Sequence, residues 1–351
     1  MQQQNKTLLG ITLVGLGIIA GVFGLFTWIV GGRGGSGPVT RGVDGNPSAS
    51  VPSAGTKDSL KGLKNVPQGL FNYGGSTTWI PVHELVNETI VATFPEFQLR
   101  YTLPSTGAPG SGTGIKMLLD GQLSFAESSR PLKDNEYEVA QQRGFTLEQV
   151  PAAIDGIALA VHPDLGLEGL TIEEIQAIYK SEVTNWSELG GPDLPIGAYS
   201  RSPEAAGTAK YFLDSVVNAE AYGANVVFVG DTTTGLRRIL EDKGGIYYAS
   251  APEIVNQCSI YAIPVAAQNQ SDDFIPPFAA PWRTGQACLD SENTVNKDDF
   301  RSGDYPLTRR LFVIVKVDGE QDETAGRAYA NMLLSSEGQT LIEQAGFVSV
   351  R

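Results

Sequence analysis

The chain has 351 residues, enough for two domains' worth of core, and 41% hydrophobic against 18% charged residues is the balance of a folded protein. Its 39 acidic and 25 basic residues give a formal charge of −14 at pH 7. That argues against nucleic acid as the main partner, because phosphate-backbone binding needs a basic face. A small anion stays open, since a buried site answers to its local dipoles and to one or two arginines.

In chain order, residues 8–30 are uncharged and mostly apolar, long enough as a helix to cross a bilayer core of roughly 30 Å. A secretory signal competes with this reading, but its apolar region is usually about 7–15 residues and ends in a small-residue cleavage site. The expectation is a membrane anchor or signal over residues 1–30, with the bulk of the chain exported. Residues 31–66 are rich in Gly, Ser and Pro without apolar periodicity, so they read as a flexible linker with a short ordered end. The folded part is expected to begin near Pro67.

From there short apolar runs alternate with helical patterns, which is the signature of α/β layering. Gln98 to Tyr101 reads as a strand and Ile115 to Leu119 as part of a helix. Leu123 to Ala126 reads as a strand that ends at Ser128-Ser129-Arg130. The continuous apolar run Gly156 to Val161 suggests a strand buried on both faces. Thr171-Ile172-Glu173-Glu174 is a capping box opening a helix with Ile175, Ile178 and Tyr179 inward. Leu194 to Tyr199 is a strand that delivers Ser200 and Arg201, followed by a helix through Tyr211-Phe212-Leu213. A helix over Thr234 to Leu240, a strand over Gly245 to Ala249, a strand over Leu311 to Val317 and a helix through Ala330 and Leu334 complete the series.

Hydroxyl-and-glycine clusters stand where loops enter these helices: Gly74-Gly75-Ser76-Thr77-Thr78, Gly110-Ser111-Gly112-Thr113-Gly114, Ser128-Ser129-Arg130, and Arg201 with Ala206-Gly207-Thr208. Glycine-rich helix entries leave N–H groups free for an anion, hydroxyls add neutral donors, and arginine adds a forked cationic one. Together they point to a protein that wraps a small tetrahedral anion. Other notable residues have plainer readings. Thr113 can cap its own helix, and Asp231 to Thr234 is a turn with an N-cap. Trp79 and Trp186 read as packing residues, and His83 and His162 as structural. Arg309 and Arg310 read as a surface pair or a salt bridge in the first lobe. Cys258 and Cys288 fit one disulfide of an exported protein or two buried thiols, and no Cys–His cluster suggests zinc.

The clusters in this order, with Phe125 to Leu132, Thr184-Asn185-Trp186 and Tyr305 to Arg309, resemble the phosphate-binding proteins of Pst-type ABC importers over about residues 71–350. The resemblance implies an α/β, two-lobed periplasmic-binding-protein (type II) fold with the ligand in the interlobe cleft. Lobe one would comprise residues 67–152 and 259–351, and lobe two residues 153–258. It implies inorganic phosphate as ligand, an ABC permease as partner, no cofactor and no enzymatic activity. The phosphate-binding residues would be Ser76, Thr77, Ser111, Ser129, Arg130, Arg201, Gly207 and Thr208.

Two departures stand out. The well-known members of the family carry an aspartate at the position of Ser129, where it accepts the proton of hydrogen phosphate; the run Ser129-Arg130 resembles a variant of some branches, in which Glu127 or a serine oxygen is left to serve and Arg130 could instead favour a fully ionised anion. Ala206 stands where a serine is expected, and the spacing from Arg201 to Thr208 is one residue longer than usual. Competing functions are the binding of another oxyanion such as sulfate, a phosphate sensor or scaffold without transport, and a phosphatase or serine hydrolase. Against the enzymes, the sequence has no Gly-x-Ser-x-Gly elbow, and Lys116 is followed by Met117 where a Walker A loop needs Ser or Thr.

Overall fold

The computed structural model describes residues 59–204, 206–267 and 273–351. The apolar stretch 8–30 and most of the linker lie outside the described residues. Among the described residues no helix is long and apolar enough to cross a membrane. The ordered end of the linker is a 3-10 turn, Leu60–Gly62, capped by Ser59, with Leu60 buried in the core.

The first half of the chain alternates strand and helix: β1 (Gly69–Gly75), α1 (Ile80–Thr93), β2 (Phe97–Tyr101), α2 (Ser111–Leu119), β3 (Phe125–Ser128) and α3 (Asp134–Gln142). The long strand β4 (Thr146–Val161) leads to β5 (Leu170–Thr171), α4 (Ile172–Tyr179), β6 (Gly197–Arg201), α5 (Gly207–Tyr211), β7 (Val227–Val229), α6 (Thr232–Glu241) and β8 (Gly245–Ser250). Then come α7 (Ala251–Val255), β9 (Tyr261–Ile263), β10 (Val265–Ala266), α8 (Gly285–Asp290) and α9 (Lys297–Ser302). A second long strand, β11 (Thr308–Val317), precedes α10 (Gln321–Leu333), α11 (Ser336–Gln344) and β12 (Val348–Ser349).

The strands order as β2-β1-β3-β11-β4-β8-β6-β7, with β9 and β12 also pairing with β4. β1 is parallel to both β2 and β3, as helical crossovers require, whereas β11 runs antiparallel to β3 and β4. Two lobes result. One core gathers residues between Leu60 and Ala153 with those between Leu311 and Phe347, and a smaller cluster around Ile115, Leu123 and Ile314 packs beside it. The other core runs from Ile157 to Leu307. The chain passes between the cores in β4 and again at the start of β11. The apolar run Ile157 to Val161 is fully buried, as its sequence predicts.

Two sequence expectations change. The chain returns to the first lobe at about Thr308 rather than near 259, because β9 pairs with Leu159 to Val161 of β4. Ile263, Phe278 and Phe300 accordingly fill the second core. The strand expected to begin at Gly156 starts ten residues earlier, at Thr146. Pro151 interrupts the sequence pattern there, and the ladder to β11 shifts register opposite it, between Leu311 and Phe312, where a missing N–H is tolerated. The helix expected through Leu213 is present, as α5 to Tyr211 and then a π-helical turn, Phe212–Val217. Cys258 and Cys288 are disulfide-bonded.

Candidate functional site

Four chain segments deliver the predicted residues to one place. β1 ends at Gly75, whose φ of 126° and approach to Glu127 exclude a side chain: an added Cβ would lie 2.3 Å from that carbonyl oxygen. The backbone then turns so that Ser76 caps the 3-10 turn Thr77–Trp79 by accepting from Thr78 N–H, 3.3 Å away. Ser111 is the first residue of α2, and Ser129 follows the end of β3. The Ser76 hydroxyl donates to Ser129 Oγ at 3.0 Å, the Ser111 and Ser129 hydroxyls lie 3.2 Å apart, and Ser129 N–H donates to Ser111 Oγ at 3.0 Å. All three serines are buried.

The second lobe supplies the rest. Gly207 opens α5 directly against this cluster, where an added Cβ would meet Ser111 Oγ at 2.1 Å and Ser129 Oγ at 2.7 Å. Thr208 Oγ1 lies 3.2 Å from Thr78 Oγ1 across the interlobe boundary. Arg201, at the end of β6, reaches over to donate to Thr77 Oγ1 at 3.3 Å, and among the described residues that is its one side-chain hydrogen bond. Beneath Arg201, the Ser200, Tyr248 and Tyr222 hydroxyls form a chain with both spacings at 2.6 Å. Seven predicted residues thus converge: Ser76, Thr77, Ser111, Ser129, Arg201, Gly207 and Thr208.

Arg130, the eighth, is committed elsewhere. Its guanidinium donates to both Glu136 oxygens, at 3.0 and 2.6 Å, and to Pro131 O at 2.8 Å. It therefore braces the start of α3 instead of pointing a free fork at the cluster. Thr113 donates to Gly110 O and Ala108 O, a local bond that takes it out of the site. Glu127 turns into the first core, where its oxygens receive Tyr329 O–H at 2.9 Å and lie 2.6 Å from His83 Nε2. That geometry removes Glu127 as a proton reader. The pair also gives His83 a buried acidic partner. Burial and the Glu127 charge push the nearby Tyr101 phenol up to about 12.

Arg309 is the functional residue that the sequence reading undervalued. It is buried, donates from Nε and Nη2 to Asp155 Oδ2 at 2.9 and 2.7 Å, and gives Nη1 to Ser129 O at 3.1 Å. Nη2 also reaches Thr208 Oγ1 at 2.9 Å and Thr78 Oγ1 at 3.3 Å. The salt-bridge alternative for Arg309 thus holds, but the bridge stands at the centre of the site. Asp155 is fully enclosed, and burial pushes its carboxyl up against the opposing pull of Arg309 and of Ser250 O–H at 2.5 Å. The sequence did carry a signal: in a strand with period two, Arg309 shares the inward face with Leu311 and Val313, whereas Arg310 faces solvent.

Two spaces adjoin the cluster. A cavity of about 10 Å³ is lined by Thr77, Thr78, Arg201, Thr208, Tyr247 and Glu253, among others. It has room for about one water, so a tetrahedral oxyanion needs the hydroxyls to spread. A cleft of about 710 Å³ opens outward past Gly207, with Lys116, Lys133 and Lys210 on its walls. Burial and the neighbouring Arg130 and Lys210 charges hold the Lys133 ammonium below its ordinary range. Glu136, Glu204 and Glu220 line the same cleft, so its walls mix basic and acidic side chains.

A family model described as a PBP superfamily domain matches residues 49–337. The chain belongs to that superfamily. Protein SphX of Synechococcus elongatus is 25% identical over 311 residues, covering 85% of this chain and 83% of the relative. The phosphate-binding protein PstS of Staphylococcus haemolyticus is 26% identical over 278 residues, 78% of this chain and 79% of the relative. Among solved structures, one described as a phosphate ABC transporter substrate-binding protein from Clostridium perfringens, with bound phosphate, has a TM-score of 0.63 at 24% identity. It matches 81% of this chain and 100% of its own. An ABC-type phosphate transport receptor from Vibrio cholerae has a TM-score of 0.59 at 21% identity, over 79% of this chain and 99% of its own. These likenesses identify the fold as the mixed α/β, two-lobed one that the motif order implied.

Proposed function

We propose that this chain is the substrate-binding component of an ABC importer and captures inorganic phosphate between its lobes. The observation that carries the reading is the convergence of Ser76, Ser111, Ser129, Arg201, Gly207 and Thr208, drawn from both lobes, on one buried point. Hydroxyl donors and one arginine that bonds no carboxylate among the described residues suit a small oxyanion. Several charge-assisted hydrogen bonds of roughly 1.5–3 kcal/mol each supply, after desolvation, the about −8 kcal/mol of a micromolar complex. The names of the relatives agree with this ligand.

Binding closes the lobes about β4 and β11, and the closed surface is what a membrane permease recognises. The protein works on the extracytoplasmic face, held there by residues 1–30 as an anchor or released if that segment is cleaved. A phosphatase or hydrolase reading gains nothing from His83, which pairs with Glu127 in the first core.

Titration calorimetry of the purified chain with phosphate tests the reading. Micromolar or tighter binding is expected, and Arg201→Ala is expected to abolish it. A wild-type chain that binds no phosphate would overturn the proposal.

A further inference from the structure

Hydrogen phosphate and sulfate share shape and charge, and a proton on one oxygen tells them apart. Reading that proton takes an acceptor without a hydrogen of its own, in a place where water cannot stand in for it. The serine and threonine hydroxyls of the site cannot do so alone, because each donates as readily as it accepts. The carboxylates around the site are largely spoken for: Glu127 by His83 and Tyr329, and Asp155 by Arg309 and Ser250.

Glu253 is placed differently. It stands in the first turn of α7, directly after β8, and lines the same small cavity as Thr77, Thr78, Arg201 and Thr208. The groups that face it come from several elements around it. They are Arg201 from β6, Thr232 from α6, Tyr247 from β8, and the Asp155–Arg309 pair from β4 and β11. We propose that Glu253 is the specificity-determining acceptor of the oxyanion site, taking the hydrogen bond of the protonated phosphate oxygen and turning away an anion that has no proton. The inference rests on the phosphate reading above.

A pH signature follows. Burial pushes the Glu253 carboxyl up, against the pull of Thr232, with Asp155 adding to the rise and Arg309 and Arg201 opposing it. Above its folded-state pKa the group is a carboxylate and accepts; below it the group is an acid that donates, so a proton-free anion is tolerated. Discrimination against sulfate is therefore strongest at high pH and fades as pH falls.

Calorimetry with inorganic phosphate and with sulfate between pH 5 and pH 8.5, on the full chain and on Glu253→Gln and Glu253→Asp, tests this. Wild type should bind sulfate roughly 100-fold or more weakly than phosphate at the alkaline end, because a buried acceptor is left facing an oxyanion. Glu253→Gln, nearly isosteric but able to donate, should lose about tenfold or more of that ratio and its rise with pH. The ligand's own titration cancels in the comparison with wild type. Glu253→Asp should keep a pH-dependent ratio. A phosphate-to-sulfate ratio in Glu253→Gln equal to wild type across the range overturns the assignment, as does a wild type that binds phosphate without discriminating. A wild type that binds neither ion overturns the phosphate reading itself and this inference with it.

Discussion

Gly207→Ala isolates the contact on which lobe closure depends. Gly207 sits in an ordinary helical conformation, so alanine brings no backbone strain, and the effect of the change is steric. The new Cβ would stand 2.1 Å from Ser111 Oγ, 2.8 Å from Ser111 Cβ and 2.7 Å from Ser129 Oγ. Neither serine can swing aside cheaply, because both are fully buried, their hydroxyls bond to each other, and Ser129 also accepts from Ser76. Forcing a methyl into packed surroundings costs about 1–3 kcal/mol, which weakens phosphate affinity roughly 5- to 150-fold. Opening the lobes carries α5 away from the serines and relieves the clash. At the first position of α5 the advantage of alanine over glycine is smaller than the about 0.8–1 kcal/mol of a helix interior. The unliganded melting midpoint should therefore hold or rise slightly while affinity falls. Calorimetry and thermal melting of the phosphate-free protein measure the two sides separately. Wild-type affinity in the variant would refute the contact, and a melting loss matching the affinity loss would refute its restriction to the closed form.

Two further outcomes follow from the same geometry. Arg309→Met leaves Asp155 buried without its cation, and removing one partner of such a pair costs about 3–5 kcal/mol; urea denaturation should show that loss, with weakened phosphate binding because Thr78 and Thr208 lose their shared donor. A loss below about 1 kcal/mol would mean that the pair contributes little net stability. Asp231 caps α6 by accepting Thr234 N–H at 2.7 Å, and that hydrogen bond holds its carboxyl below the usual range. Asp231→Ala should cost about 1 kcal/mol at pH 7. A depressed folded-state pKa stabilises above the unfolded value and loses that contribution as pH falls through the folded one. The gap between the denaturant midpoints of wild type and variant should accordingly narrow in acid, and an equal gap at pH 7 and pH 3 would refute the cap's electrostatic part.

The elements that were legible in the sequence share a local cause. Gly75, Ser76, Ser111 and Ser129 stand at strand ends and helix starts, where turn chemistry and capping restrict the residue types, so they announce themselves. The capping box at Thr171 and the apolar run Ile157 to Val161 were legible for the same reason. What escaped depends on pairings that residue type and periodicity do not announce, whether six residues apart or far along the chain. Nothing near Arg130 says that Glu136 will take its fork, because an arginine before a helix is equally suited to an anion. Nothing near position 259 shows that β9 will pair back onto β4 and delay the return to the first lobe until Thr308. Pro151 hid the first ten residues of β4, since a proline argues against a central strand unless the partner's register slips to meet it.

Glu253 shows most clearly why site chemistry is harder to read than site position. In the sequence it is an acid in the first turn of a short helix, a placement that the helix dipole alone explains. Its neighbours Thr77, Arg201, Thr232 and Arg309 come from four other segments, and only their meeting gives the carboxyl a second role. The same holds for charge. A net −14 says nothing about a point where Arg201, which forms no salt bridge among the described residues, and one arginine neutralised by Asp155 set the local field. The pair at Arg309 fixes the hydroxyls of Thr78 and Thr208 without adding net charge, leaving Arg201 as the attracting cation. If Glu253 is ionised as well, the empty site is close to neutral, and it gains most from an anion that brings its own proton to the carboxylate. Phosphate meets that condition and sulfate does not, so the selectivity is a property of how five segments meet rather than of any one motif.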